Sequence, residues 1–446
     1  MPRSADSIAA LRYPVRQLVL LTGTLLSAAC IDSPTSPDTP STSPSPSWLE
    51  SFASTCPAGV TAVTGVLSDG ALFELCVPAS PVGILLYAHG YAQAASPLAI
   101  QDEFIPTGSG GVQRVSEIVT SLGFAFAATS YPHVGLNGPE AVASLSLLKA
   151  ATTVSVQLPP GAQTYVAGVS EGGMVAALAA EEPAGDFQGV VAACGPVGDF
   201  QAQLNYFGDF RVLFDYFFPG VLGPAWTDGP NYGARARAKV AADWSYYQTQ
   251  VLAALKANPL ATAQLLATSR APVDPLDPSS IGETVIGVLW YNIFATDDAR
   301  ARLGGRPFDN DDRHYTGSFD DARLNARVKR FTAEPVALST IATEFQTTGQ
   351  LQIPVVTDHT LLDPIVKASQ ELAYAAKVFS AGQIARLSQL AVPRYGHCAF
   401  TVPELQLALA TLVQKTSGAT LAVAPAETVT APRFGAFAAL GKPDMR

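Results

Sequence analysis

A chain of 446 residues is too long for one minimal domain and can bury a sizeable core. Nearly half of it is apolar (48%), only 14% is charged, and 36 Gly and 34 Pro mark many loops, a balance that excludes general disorder. The formal charge of −10 argues against nucleic acid, since phosphate binding needs clustered Lys and Arg; the longest basic run, "ARARAK" from Ala234 to Lys239, reads as a solvated helix face.

The chain opens with an export signal over 1–30. Arg3, Arg12 and Arg16 precede the uncharged segment "QLVLLTGTLLSAAC", Gln17 to Cys30, which ends in small residues and is too short for a permanent bilayer span. Its end, "LSAAC", is similar to a bacterial lipoprotein signal with Cys30 as the lipidated residue, although Ser27 stands where that pattern wants a large aliphatic one. The expected location is therefore the cell envelope through a lipid anchor, or secretion, with a membrane as partner only through that anchor. Residues 31–48, almost wholly Ser, Thr, Pro and Asp, cannot bury a core and read as a tether.

Globular patterning starts at Leu49. Two strand-like runs flank Ser-Asp-Gly in "TAVTGVLSDGALFELCVP", an expected edge hairpin. A buried strand "VGILLYAHG", a helix "QRVSEIVTSLG", a strand "FAFAATS", a helix "EAVASLSLLKAATTV", a strand "TYVAGVS", a helix "MVAALAAEE" and a strand "QGVVAACG" follow. This alternation predicts an α/β fold whose mostly parallel central sheet carries helices on both faces. From about 199 to 345 the chain turns aromatic and helical, and the rhythm returns with "LQIPVVTDH", a helix-like "PIVKASQELAYAAKVFSAG", the strand "ARLSQLAV", the loop "PRYGHCAF" and a last helix "PELQLALATLVQKTSG". The expected organisation is a core of 49–198 and 346–418, a helical insertion at 199–345, and an Ala/Pro-rich extension at 419–446.

"GVSEGG" sets Gly168, Ser170 and Gly172 in a G-x-S-x-G pattern between a predicted strand and a predicted helix, where a sharp turn projects a hydroxyl above the sheet. With these elements around it the sequence resembles the α/β-hydrolase superfamily from about Gly65 to Gly418, the insertion excepted. The resemblance implies a triad in the order serine, acid, histidine. Ser170 would be the nucleophile, His397 of "RYGHCAF" the base, and Asp363 of "HTLLDPIV" the acid, with Asp358 as the rival. The 34 residues from Asp363 to His397 equal about one helix plus one strand, placing both at one sheet edge, and the excess between Ser170 and Asp363 is the insertion.

Main-chain N–H groups of Tyr91, in "HGY", and Glu171 are the implied oxyanion donors, with His89 shaping the loop. His133, His314 and His359 read as loop or packing residues. No histidine has another at metal-ligand spacing, and "DNDDRHYTGSFDD" lacks the glycine placement of a calcium loop, so neither metal nor other cofactor is expected. Cys194 and Cys398 should meet near the histidine loop and Cys56 and Cys76 across the hairpin, as two disulfides or as buried thiols. The aromatic residues Tyr206, Phe207, Phe210, Phe214, Tyr216, Phe217 and Phe218 form either an apolar pocket in a lid or plain core.

The leading expectation is a serine hydrolase of small or polymeric carboxylic esters, lipophilic or aromatic. A serine peptidase of the prolyl-oligopeptidase or aminopeptidase kind is the alternative, although the roughly 35 residues between tether and "ILLYAHG" leave no room for a propeller. A non-catalytic binding protein on the same fold is a further one.

Overall fold

The computed structural model describes residues 54–182, 187–222 and 239–423. The expected export signal with Cys30, the expected tether, most of "ARARAK" and the expected extension beyond 423 lie outside the described residues. Among the described residues, no helix is long and apolar enough to cross a membrane.

Among the described residues ten strands form: β1 (Thr61–Val66), β2 (Leu72–Val77), β3 (Gly83–Ala88), β4 (Phe104–Pro106), β5 (Val112–Arg114), β6 (Phe124–Thr129), β7 (Gln163–Val169), β8 (Gly189–Ala193), β9 (Val355–Leu362) and β10 (Leu387–Tyr395). Eight of them make one sheet in the order β1-β2-β6-β3-β7-β8-β9-β10, while β4 and β5 pair apart as a small hairpin. β1–β2 and β2–β6 pair antiparallel, and from β6 to β10 every pairing is parallel. β3, β6 and β8 are buried along their whole length, which is why their sequences read as unbroken apolar runs.

Helices cover both faces. On one, α2 (Pro139–Ser155), α3 (Glu171–Glu181) and α11 (Ser369–Ser380) bury residues such as Leu145, Leu148, Val175 and Val378 against Leu86 and Val166. On the other, α1 (Val115–Ser121) and α12 (Val402–Ser417) pack Ile118, Leu409 and Leu412 onto Leu85, Phe126 and Val356. Each such buried side chain contributes roughly 1.5–3 kcal/mol of apolar transfer.

Between β8 and β9 the described chain is helical: α4 (Phe200–Phe217), α5 (Trp244–Ala257), α6 (Pro259–Ser269), α7 (Ser280–Ile293), α8 (Ala295–Arg302), α9 (Asp321–Arg327) and α10 (Pro335–Thr340). These helices have an apolar core of their own, in which Phe210, Phe214, Phe218, Leu265 and Leu289 are buried. Most of the aromatic run is thus core, not pocket lining. The segment is anchored to the sheet's carboxyl edge by Tyr206 Oη donating to Pro364 O (2.8 Å) and Gln203 Nε2 donating to Ile365 O (2.8 Å).

The chain passes from β3 outward to β6, then returns across β3 to β7. The carboxyl ends of β3 and β7 therefore border the place where strand order reverses, the usual ligand crevice of an open α/β sheet.

Candidate active site

β7 ends at Val169 and α3 begins at Glu171, so Ser170 alone makes the turn, with φ 54° and ψ −120°. A side chain in this region costs on the order of 1–3 kcal/mol and persists only where its surroundings impose it. Here the Ser170 N–H donates to Ala193 O (3.0 Å), fixing the turn to β8. The flanking glycines serve space: a Cβ on Gly168 would collide with the Gly172 carbonyl, and one on Gly172 with the Ala88 carbonyl.

Three sequence-selected residues converge. His397 Nε2 lies 2.9 Å from Ser170 Oγ, and His397 Nδ1 lies 2.8 Å from Asp363 Oδ2. Asp363 follows directly on β9 and His397 follows β10 by one glycine, so two neighbouring parallel strands deliver them to one edge. Thr360 Oγ1 donates to Gly396 O (2.6 Å), tying the two loops together. Asp363 Oδ1 accepts the N–H groups of Ile365 (2.8 Å) and Val366 (3.0 Å), which leaves Oδ2 for the imidazole. The hydrogen-bond pattern assigns the proton to Nδ1 and the free lone pair to Nε2, facing the hydroxyl.

Asp358 is not brought to His397. β9 continues to Leu362, so Asp358 sits mid-strand and is neither a strand-end nor a turn residue. Thr357 and His359 face Glu371 on α11, and by strand alternation Asp358 points to the opposite face, beneath α12. It is fully buried and neither carboxyl oxygen finds a donor among the described residues. Burial first, then the nearby Glu404 and Glu371 charges, push its carboxyl up to about 8, against the weaker pull of His359.

His359 was expected to be a loop or packing residue; it is not in a loop. It is a fully buried strand residue whose Nδ1 faces Glu371 Oε1 (3.2 Å) and whose Nε2 faces Val366 O (2.8 Å). The other histidines keep modest roles. His89 is buried, its Nδ1 2.6 Å from Gly90 O and its ring stacked on Tyr131 at 4.1 Å. His133 bonds the Val134 carbonyl (3.2 Å), and His314 is exposed.

Gly90 brings the loop after β3 against Ser170: a Cβ placed on it would lie 3.4 Å from Ser170 Cβ. The next N–H, that of Tyr91, has no hydrogen-bond partner among the described residues. Glu171 is the first residue of α3, so its N–H is one of the orphan donors of a helix start. The Glu171 side chain faces away into a second arrangement. Its Oε1 accepts the Asn137 N–H (2.5 Å), while Asp298 on α8 accepts that of Leu136, so two carboxyl groups grip successive amides of one loop. Burial pushes the Glu171 carboxyl well up; the Asn137 N–H opposes this and the Asp298 charge adds to it.

The four cysteines among the described residues pair as Cys56–Cys76 (Cα–Cα 5.3 Å) and Cys194–Cys398 (5.4 Å). The second bond spans from the end of β8 to the residue after His397 and sets Cys398 Sγ 3.5 Å from His397 Nε2. Glu74 comes within ligand distance of Cys56 and Cys76, but the disulfide engages both sulfurs and Thr55 donates to the carboxylate.

An aromatic wall, missed in the sequence, stands over the site on α7. The Tyr291 ring meets His397 edge-on at 6.2 Å and stacks on Phe207 at 5.5 Å, and the Trp290 ring meets Tyr91 at 6.2 Å. In "VLWYNIF" these rings carry no signal that separates a wall from a core.

No family model and no curated protein matches this sequence. Among solved structures, an esterase from Aspergillus oryzae is 14% identical, over 83% of this chain and 82% of its own, with a TM-score of 0.42. Feruloyl esterase B from the same organism is 15% identical over 82% and 83%, TM-score 0.42, and Candida antarctica lipase A is 13% identical over 83% and 80%, TM-score 0.40. At these values the likenesses carry no weight. Strand order, the turn at Ser170 and the order serine, aspartate, histidine along the chain do, and they are those of an α/β-hydrolase fold.

Proposed function

We propose that the protein is a serine hydrolase that cleaves carboxylic esters through an acyl-enzyme. The observation that carries this reading is the unbroken line from Asp363 Oδ2 through His397 to Ser170 Oγ, at 2.8 and 2.9 Å. His397 Nε2 takes the hydroxyl proton as Ser170 Oγ bonds to the ester carbonyl carbon, and Asp363 stabilises the imidazolium through Nδ1–H. The resulting oxyanion is held by the main-chain N–H groups of Glu171 and Tyr91. His397 then returns the proton to the leaving alcohol as the C–O bond breaks, and a water repeats the sequence to release the acid.

In this reading the helical segment 199–345 is an insertion that closes over the core. Its rings Trp290, Tyr291 and Phe207, with Tyr91, favour an aromatic or otherwise flat apolar group on the ester. The test is labelling with a fluorophosphonate probe. Wild type is expected to label and Ser170→Ala to lose the label; labelling that survives the change refutes the nucleophile. A panel of p-nitrophenyl and aryl esters beside aminoacyl anilides then ranks bond types, and faster anilide cleavage would make the protein a peptidase.

A further inference from the structure

The triad does not end at its aspartate. Behind Asp363 lies His359, whose Nε2 is 3.7 Å from the same Oδ2 that bonds His397. Both His359 nitrogens face acceptors, the Val366 carbonyl on one side and Glu371 Oε1 on the other. A neutral imidazole has one N–H, so a ring set between two acceptors satisfies both only when doubly protonated. Glu371 is held by donors on its other oxygen: Oε2 accepts from Thr357 Oγ1 and from Gln389 Nε2 (2.6 Å), with Oε1 turned to the ring. Glu371, His359 and Asp363 are all fully buried. Among the described groups, the charges facing the ring are Glu371 from α11 and Asp363 from the loop after β9; Asp358, beside it in sequence, points through the other face of the sheet.

We propose that His359, as a buried imidazolium held by Glu371, is a positioning residue for Asp363. It rests on the triad reading above. Its Nε2–H anchors the Val366 carbonyl, and Val366 in turn gives its own N–H to Asp363 Oδ1, so the ring fixes the loop that aims the acid. Its charge, close to Oδ2, balances the buried carboxylate. Burial alone would push the proton off this ring, but the Glu371 hydrogen bond and charge, with the Asp363 charge, prevail and carry it up to about 9. The Glu371–His359–Asp363–His397–Ser170 chain crosses from α11 to the elbow, and each link is a hydrogen bond or ion pair.

The protonation state is read directly from the long-range proton–nitrogen spectrum of wild-type protein labelled with 15N-histidine, at pH 7.5. Five histidines give five patterns, assigned by single His→Gln variants, and by elimination through His89, His133, His314 and His397 where His359→Gln does not fold. Two protonated nitrogens on His359 are expected; one protonated and one bare nitrogen overturns the inference. Activity supplies the second readout. Glu371→Gln keeps the side chain's size and removes the charge that holds the proton. It is expected to lower kcat about tenfold on a p-nitrophenyl ester with KM unchanged. The acid limb of kcat/KM should move to higher pH, since a positive charge beside the Asp363–His397 pair is lost; a packing role alone would leave that limb in place. A folded Glu371→Gln protein with unchanged kcat and an unmoved limb overturns the inference. Failure of the triad reading shows separately, as probe labelling of Ser170→Ala, while the histidine spectrum still reports on His359.

Discussion

The two faces of β9 treat buried charge in opposite ways. On the α11 face, Thr357, His359 and Gln389 all hydrogen-bond to Glu371, and these bonds stabilise the charged pair proposed above. On the α12 face, one residue away, Asp358 has no donor among the described residues and stays protonated well into neutral pH. Under the proposal above, the same strand separates an ionised pair from an uncharged acid. Burial does not decide whether an acidic residue is an anion; the donors around it do.

The comparison can be broken first through activity. Asp363→Asn is expected to lower kcat by about 10⁴-fold, because the imidazole loses the partner that sets its tautomer, while Asp358→Asn stays within about twofold of wild type. Steady-state kinetics on one ester would settle it, and a comparable loss in both would erase the distinction between the faces. Stability is the second lever. Glu371→Ala strands the His359 cation and should cost about 3–5 kcal/mol of unfolding free energy in denaturant melts.

The pH dependence of stability sharpens the contrast further. Unfolded Asp358 releases its proton near 3.9, whereas in the fold it holds it to about 8, so its contribution declines as pH rises between those values. His359 is raised from 6.5 to about 9, so its contribution is complete below 6.5 and is lost as pH rises through 9. Both faces therefore weaken the fold on the alkaline side. Asp358→Asn should remove only the first part: its stability curve meets that of wild type near pH 4 and lies progressively further above it as the pH rises to 8. Thr357→Val, which takes one hydrogen bond from Glu371, is the smallest change at about 1 kcal/mol.

Strands and nucleophile were legible because each carried a local signal. Runs such as "GILLYA" and "GVVAA" have the length and apolar continuity of strands buried on both faces, and G-x-S-x-G between a strand and a helix has a steric meaning. Asp363 and His397 were reachable through chain order. His359 was not: whether a histidine packs plainly or meets a glutamate twelve residues on depends on how α11 is laid over β9, which no local pattern encodes. Trp290 and Tyr291 were hidden for a similar reason, since an aromatic stripe on α7 looks alike whether it faces its own core or His397.

The conformation of Ser170 has an evolutionary side. With φ at 54°, the position suits glycine better than any residue with a side chain, so drift towards stability alone would replace the serine. Ser170→Gly should therefore yield a protein that resists unfolding better and hydrolyses nothing. Under the proposed function, the serine is kept there against the fold's own preference because the turn is needed to present a hydroxyl.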